Sequence, residues 1–271
     1  TLSLRKVSAD PELTESNPCY SLKGAVYGVY TSRENAMKDQ NRLAALQTDG
    51  SGTSGKISLD AGTYYIREIT ASPGYEKCSG GCDSADENGI HVVQAEEYGK
   101  DYEFTCAEQP VFHSFALTVQ KRELDYAGDT PTGTADWSGA VFQVEYFEND
   151  AGNTEGQPGR SWYFRTDHTG EAVLNRQEDL VKDMTLADGT SVTSDELFYD
   201  AEGQAVLYPA GTYRITEVQA SRYYQLDGKI IFGDASSEQT DLSQGVTVVI
   251  REENDRAVLY YNENRIDDSD P

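Results

Sequence analysis

One repeated phrase constrains this chain more than any other feature: AGTYYIREIT at 61–70 and AGTYRITEVQ at 210–219. We call these the AGTY segments. Each alternates residues in the manner of a β-strand, in which successive side chains point to opposite faces. Each also places a glutamate, Glu68 or Glu217, on the same predicted face as apolar neighbours. A carboxylate in that position calls for a partner, because burying an unpaired charge is costly.

A second phrase is also repeated, GAVYGVY at 24–30 and GAVFQVEYF at 139–147. Both of these GAV segments follow a strand-like stretch that ends in lysine, LSLRK at 2–6 and FALTVQK at 115–121. The order of lysine strand, GAV segment and AGTY segment is the same both times. The sequence therefore predicts two copies of one module.

Size and composition favour two β domains. The 271 residues include 18 Tyr and 24 Gly, and the short alternating runs are typical of strands joined by turns. We predict an all-β chain of two tandem antiparallel Greek-key β-sandwich domains, Ig-like in architecture. The predicted boundaries are 1–112 and 113–266, since the second lysine strand begins at about Phe115.

The second copy carries an insertion. From Gly24 to Glu68 the chain advances 44 positions, whereas from Gly139 to Glu217 it advances 78, a difference of 34. The extra residues are predicted within 150–205 and are expected to decorate loops without altering the sandwich. The first copy has ENAMKDQNRLAAL in the same interval, which predicts one short helix.

The net charge of the chain argues against two classes of binding partner. The formal net charge is −25 and the sequence pI is about 4.3, with no basic cluster. Such a surface repels phosphate backbones and anionic lipid, so neither nucleic acid nor a membrane surface is an expected partner. No apolar run reaches the roughly 20 residues that a membrane span needs. The Asp-rich end, DDSDP, is typical of a linker, so the chain is interpreted as a piece of a longer protein.

The four cysteines all lie in the first copy, at Cys19, Cys78, Cys82 and Cys106. An even number in one domain indicates disulfides and an oxidising compartment. Of the three possible pairings, the sequence favours 78–82, across the short SGG loop, and 19–106. A four-cysteine zinc site is the alternative, but the spacing lacks two CxxC pairs. No metal or cofactor is expected.

The alternation of side chains along the strands predicts a group of reactive residues in the second copy. Lys121 ends one apolar row, Glu217 ends another, and Asn262 and Asn264 continue the row begun by Val258. A buried lysine tends to lose its charge and a buried glutamate tends to gain a proton. A neutral amine is a nucleophile, a carboxamide is an electrophile, and a protonated glutamate between them relays protons. The product would be a Lys–Asn isopeptide bond, made once and never turned over.

These motifs resemble the Cna-B-type domains of Gram-positive surface proteins, also called SpaA-type or prealbumin-like pilin domains. The strand lysine, the GAV segment and the phrase AGTYYIREITASPGY carry the resemblance, and AGTYRITEVQAS matches the same family element, the E-box. It covers nearly the whole chain apart from the insertion and the tail. The resemblance implies Lys121 as nucleophile, Glu217 as catalyst and Asn262 as acceptor, with Asn264 as the second choice.

The first copy departs from the family pattern. Its last strand, DYEFTCAEQPV at 101–111, has no asparagine and places Cys106 and Glu108 where the acceptor is expected. We predict no isopeptide bond there. Lys6 is instead expected to form an ion pair with Glu68 or Glu108, and the disulfides to replace the cross-link.

The resemblance implies a structural stalk or pilin-like segment at the bacterial cell surface or cell wall, with any anchor outside this chain. Neighbouring domains of the longer protein are the expected partners. The alternative is that the pair is itself an adhesin, binding a host protein or glycan through loops 71–92 or 150–205. Trp137, Trp162 and several tyrosines are candidates for an aromatic platform that binds a glycan or a protein. No catalytic motif favours an enzyme acting on a separate substrate.

Overall fold

The computed structural model describes residues 1–78, 85–122, 133, 136–200, 202–226, 230–231, 238–239 and 245–266. The chain forms two compact units. The first unit is Thr1–Val111 with Glu252–Ala257, and the second is Phe112–Arg251 with Val258–Pro271. Strands dominate and the two helices are short, so the all-β prediction is confirmed. Neither helix in the described ranges has the length and apolar character of a membrane span.

The first unit contains six strands and both helices. In chain order they are β1 (Leu2–Ser8), α1 (Pro11–Thr14), β2 (Val26–Tyr30), α2 (Arg33–Lys38), β3 (Ala44–Gln47), β4 (Gly62–Thr70), β5 (Ile90–Ala95) and β6 (Tyr102–Glu108).

The first unit has two sheets. Four strands pair antiparallel in the order β3-β2-β4-β5, while β1 and β6 form a parallel pair. The faces of these sheets enclose one apolar core, which includes Leu2, Leu4, Tyr27 and Ile66. The lysine strand and the last strand of this unit therefore lie side by side, and Lys6 is directly opposite Cys106.

The short helix expected after the first GAV segment is α2. Its first turn is capped by Ser32, whose hydroxyl accepts a hydrogen bond from the Asn35 amide, and Asp39 ends it in a left-handed conformation. This helix crosses outside the four-stranded sheet and buries Ala36 against Tyr30. It joins two strands of one sheet without entering the space between the sheets.

The second unit contains the remaining strands, except for the part of them within Glu252–Ala257, which is grouped with the first unit. They are β7 (Phe112–His113), β8 (Thr118–Gln120), β9 (Val141–Phe147), β10 (Arg160–Arg165), β11 (Glu171–Val173), β12 (Asp183–Thr185), β13 (Ser191–Thr193), β14 (Phe198–Tyr199), β15 (Val206–Pro209), β16 (Gly211–Gln219), β17 (Ile230–Ile231), β18 (Glu238–Gln239), β19 (Val246–Glu253), β20 (Arg256–Tyr261) and β21 (Asn264–Ile266).

One large sheet organises the second unit, with the order β10-β9-β16-β19-β20-β21. Its central neighbours are the GAV strand β9 and the AGTY strand β16, which pair antiparallel from Thr212 opposite Phe147. The first unit repeats this neighbourhood with β2 and β4. The pairing of GAV with AGTY segments is thus common to both units.

The insertion builds small sheets beside the large one. The interval 150–205 contains β10 to β14, of which β10 belongs to the large sheet, and β11 pairs antiparallel with the lysine strand β8. Both lysine strands bond to the segment that follows β3 or β10, since the Lys6 amide donates to the Gly52 carbonyl and the Lys121 amide donates to the Gly170 carbonyl, both at 2.7 Å. In the first unit the lysine strand pairs in addition with the last strand, β6.

Candidate cross-linking site

Both AGTY strands turn their glutamates inward. On β4, Tyr64, Ile66 and Glu68 alternate with more exposed residues and are all buried. On β16, Tyr213 and Ile215 are buried and the Glu217 side chain is 6% exposed. The period of two along each strand is the reason, because residues i, i+2 and i+4 share one face.

The first unit pairs Glu68 with the lysine of β1. Lys6 Nζ lies 3.3 Å from Glu68 Oε1, and both side chains are 0% exposed. The second carboxylate oxygen, Oε2, accepts a hydrogen bond from the Cys78 amide at 2.8 Å. Lys6 Nζ also stands 4.9 Å from the centre of the Tyr75 ring, where the face of the ring attracts a cation.

A second buried carboxyl adjoins this pair. Glu108 Oε1 accepts a hydrogen bond from the Tyr27 hydroxyl at 2.5 Å and lies 2.8 Å from Cys106 Sγ. His91 Nε2 lies 3.6 Å from the same sulfur. All of these side chains are buried. The first unit therefore holds a polar cluster of an amine, two carboxyls, a phenol, a thiol and an imidazole inside its core.

Burial sets the proton affinities in this cluster. It raises the pKa of Glu68 to about 7, against the opposing attraction of Lys6, and the neighbouring Glu108 raises it further. Burial followed by the charge of Glu108 raises the pKa of the Cys106 thiol well above its ordinary value. Burial, followed by the charges of Glu68 and Glu108, raises the pKa of the Tyr27 hydroxyl. Cys106 and Tyr27 are therefore neutral donors at physiological pH.

The second unit repeats the lysine–glutamate pair with fewer neighbours. Lys121 Nζ lies 2.9 Å from both carboxylate oxygens of Glu217, but a hydrogen bond is directed only to Oε2. Burial raises the pKa of Glu217, while the hydrogen bond from Lys121 lowers it. The Lys121 amide donates to the Gly170 carbonyl at 2.7 Å, which fixes the lysine at the end of β8.

The structure corrects the predicted position of the acceptor. Asn262 and Asn264 were expected to extend a strand into the core, but β20 ends at Tyr261 and a two-residue turn follows. Asn262 is exposed in that turn with φ 48°, and Asn264 is exposed at the start of β21. Neither side chain hydrogen-bonds to Lys121 or Glu217, so the described fold does not bring the three groups together.

The predicted pairing of Cys19 with Cys106 is wrong. Cys106 is a thiol that donates to Glu108 Oε1, and Cys19 is not bonded to it. The sequence placed Cys106 correctly on the inward face of the last strand but did not show that Glu108 and Tyr27 would surround it. Cys82 lies outside the described residues, so the 78–82 pairing stays a prediction.

Several members of the buried cluster were missed by sequence reasoning. Tyr27 had a readable signal, because it shares the inward face of the GAV strand with Ala25 and Val29. His91 lies on β5 and Tyr75 in a loop, and neither position carries a pattern that points to Lys6.

Among the described residues, no three His, Cys, Asp or Glu side chains are grouped to hold a metal ion.

Comparison with known families gives a match over residues 14–83, to the model described as the SpaA prealbumin-like fold domain. This segment of the first unit is therefore similar to a SpaA-type domain. The matched segment includes the first GAV and AGTY segments, and with them Glu68, while Lys6 precedes it. A comparison with curated proteins gives no match.

Several solved structures have a similar course of chain. The Bacillus anthracis TIE protein is 15% identical, with a TM-score of 0.44, over 85% of this chain and 29% of that one. A C-terminal fragment of the pilus adhesin SpaC from Lactobacillus rhamnosus GG is 12% identical, with a TM-score of 0.39, over 98% and 87%. BcpA, the major pilin subunit of Bacillus cereus, is 11% identical, with a TM-score of 0.30, over 94% and 96%. The chain spans under a third of the length of the TIE protein and 58% of a streptococcal ancillary pilin.

Proposed function

We propose that this chain is a structural stalk or pilin-like segment of a bacterial cell-surface protein. The observation that carries the proposal is the buried lysine–glutamate pair, which occurs once in each unit and on matching strands. A soluble domain gains little from burying one such pair, since desolvation offsets the attraction. Its occurrence in both units, one of which is similar to a SpaA-type domain over residues 14–83, favours a shared origin in cross-linking chemistry.

The position of the segment in the longer protein follows from this role. The partners of the segment are the neighbouring domains of the same surface protein, and the segment is located at the outer face of a Gram-positive cell wall. The family match on residues 14–83 supports this location.

In the second unit, the proposed cross-link forms between Lys121 and an asparagine. The Lys121 amine attacks the carboxamide carbon, a C–N bond forms, and the carboxamide nitrogen leaves as ammonia. Glu217 takes the proton from the amine and delivers it to the leaving nitrogen, and its raised pKa suits it to both steps. Because Asn262 and Asn264 are exposed in the present arrangement, the reaction requires the β20–β21 turn to open.

In the first unit, no ammonia-releasing bond is proposed. Lys6 is surrounded by Glu68 and the Tyr75 ring, and the described last strand β6 offers Cys106 and Glu108 in place of a carboxamide. The unit keeps the ion pair and dispenses with the cross-link.

Intact-mass spectrometry under non-reducing and reducing conditions, followed by peptide mapping, tests this function. We expect a mass lower by one ammonia and a branched peptide that contains Lys121. The Lys121→Arg and Glu217→Gln variants should regain the linear mass, while Lys182→Arg, at an exposed lysine of the same unit, should not. A wild-type mass equal to the linear sequence, apart from disulfide hydrogens, would refute the cross-link.

A further inference from the structure

A groove in the second unit belongs to the insertion and takes no part in the lysine–glutamate chemistry. Its volume is about 630 Å³, and it opens between the turn after β11 and the β14–β15 hairpin. The side chains other than Glu178 that line it and can hydrogen-bond are Ser114, Asn175, Arg176, Gln177, Tyr199 and Gln204.

One wall of the groove is fixed by Asp179. This carboxylate accepts a hydrogen bond from the Val173 amide at 2.7 Å and another from Arg176 Nε at 2.8 Å. Backbone hydrogen bonds close the same turn, from Arg176 to Val173 and from Leu180 to Gln177. The guanidinium of Arg176 is therefore held in place before any ligand arrives.

The opposite wall is fixed by Asp200 in the same way. Its carboxylate accepts from the Gln204 amide at 2.6 Å and from the Ala205 amide at 3.1 Å, and its own amide donates to the Ala205 carbonyl. The Tyr199 hydroxyl donates to Gln177 Oε1, which joins the two walls. Loops locked by such contacts lose little conformational entropy on binding, which favours affinity.

The chemistry of the lining suits a ligand rich in hydroxyl groups. Carboxamides and hydroxyls each donate and accept, as does every sugar hydroxyl. The Tyr199 ring is 43% exposed and offers an apolar face for the C–H side of a sugar ring. Apart from that ring, the apolar contribution comes from Ala205 and the buried Val206. The groove therefore lacks the apolar pocket in which a peptide side chain would anchor.

The charges in and around the groove narrow the class of ligand further. The cation in the groove, Arg176, is matched by Asp179 at 2.7 Å and by Glu171 at 3.9 Å. Glu178 also lines the groove, and the whole chain carries a net charge of −25. Sialylated or sulfated glycans would be repelled. We infer that this groove binds a neutral oligosaccharide, a function that goes beyond the stalk role and does not depend on the cross-link.

The test starts from the complete chain on an array of neutral, sialylated and sulfated oligosaccharides, with titration calorimetry on the strongest neutral binder. We expect Tyr199→Ala and Gln177→Ala each to weaken binding at least tenfold, and Tyr199→Phe to weaken it less because the ring remains. Tyr98→Ala, at a fully exposed tyrosine in the first unit, is the matched control and should bind like the wild type.

Three results would overturn the inference. They are an array with no neutral glycan bound, binding confined to anionic glycans, and a Tyr199→Ala variant that binds as the wild type does. Retained tryptophan fluorescence confirms that each variant is folded, because Trp162 packs against Phe198 next to the groove. The intact-mass test of the cross-link is an independent measurement. The oligosaccharide-binding proposal and the cross-link proposal can therefore each fail without the other.

Discussion

At the scale of single residues, the fully buried amine of Lys6 is the position on which the first unit depends most. Its counter-charge is Glu68, and no solvent reaches either group. Removing one member of such a pair leaves an uncompensated buried charge, whereas removing both leaves an apolar contact. The two kinds of change therefore have very different expected costs.

We predict that Lys6→Met lowers the free energy of unfolding of the first unit by about 3–5 kcal/mol at neutral pH. The double variant Lys6→Met, Glu68→Leu should recover much of that loss. Chemical denaturation followed by alkylation of the buried Cys106 thiol measures the effect. Lys38→Met, which breaks the exposed pair with Glu34, is the control and should cost less than about 0.5 kcal/mol. Additive losses in the double variant would contradict the pairing.

The raised pKa of Glu68 also makes the first unit sensitive to pH. The folded value of about 7 exceeds the ordinary 4.5, so the folded state binds more protons between these values. The stabilisation is complete below about pH 4.5 and is lost as the pH rises through about 7. Lys6, Glu108, Tyr27 and Cys106 are the titratable groups around it.

We therefore predict that the first unit loses on the order of 3 kcal/mol of stability between pH 4.5 and pH 7.5. Denaturation midpoints across this range, again followed through Cys106, give the profile. Glu68→Gln cannot ionise and should flatten it. An equally steep profile in that variant would assign the dependence to another group.

At the scale of elements, the repeated strands were readable from the sequence and the last strands were not. Alternation placed Glu68 and Glu217 on inward faces because it needs only a continuous extended backbone. The same argument failed at Asn262, because the chain reverses there. The alternation of side chains between two faces holds only up to the end of β20. The Asn254–Asp255 and Asn262–Glu263 pairs, all with positive φ, are the local signal that this region is a meander.

The turn at Asn262 gives a prediction that separates the observed fold from the cross-link. Glycine adopts φ 48° without strain, whereas a β-branched residue does not. As a turn residue, Asn262→Gly should be close to neutral and Asn262→Val should cost about 1–2 kcal/mol. Urea unfolding followed by tryptophan fluorescence measures both. If Asn262 accepts the cross-link, Asn262→Gly will restore the linear mass and be strongly destabilising.

At the scale of the whole molecule, each unit has its own spectroscopic reporter. Trp137 and Trp162 are the two tryptophans of the chain and both lie in the second unit, while all four cysteines lie in the first. We predict that Lys6→Met shifts the transition seen by thiol alkylation and leaves the transition seen by tryptophan fluorescence within about 0.5 kcal/mol. An equal shift in both signals would show that the chain unfolds as one cooperative body.

Repeated phrases predict repeated packing, and the two compact units divide at residues 111 and 112, except that Glu252–Ala257 are grouped with the first unit. The pairing of the lysine strand in the second unit was not predictable. β8 pairs with β11, which lies within the interval 150–205 predicted to hold the insertion, and no short-range pattern specifies a partner about 50 residues away. The groove depends on the same insertion, so its walls could be placed only from the fold.

The parallel pairing of β1 with β6 has a consequence for extensibility. Seven residues of the first strand match seven of the last, so the chain enters and leaves the first unit along one ladder. While that ladder holds, the roughly 100 residues between Lys6 and Cys106 add nothing to the length of the chain under tension. Drawn out, they would add about 340 Å. The first unit therefore holds a reserve of length that is released only when the β1–β6 ladder separates.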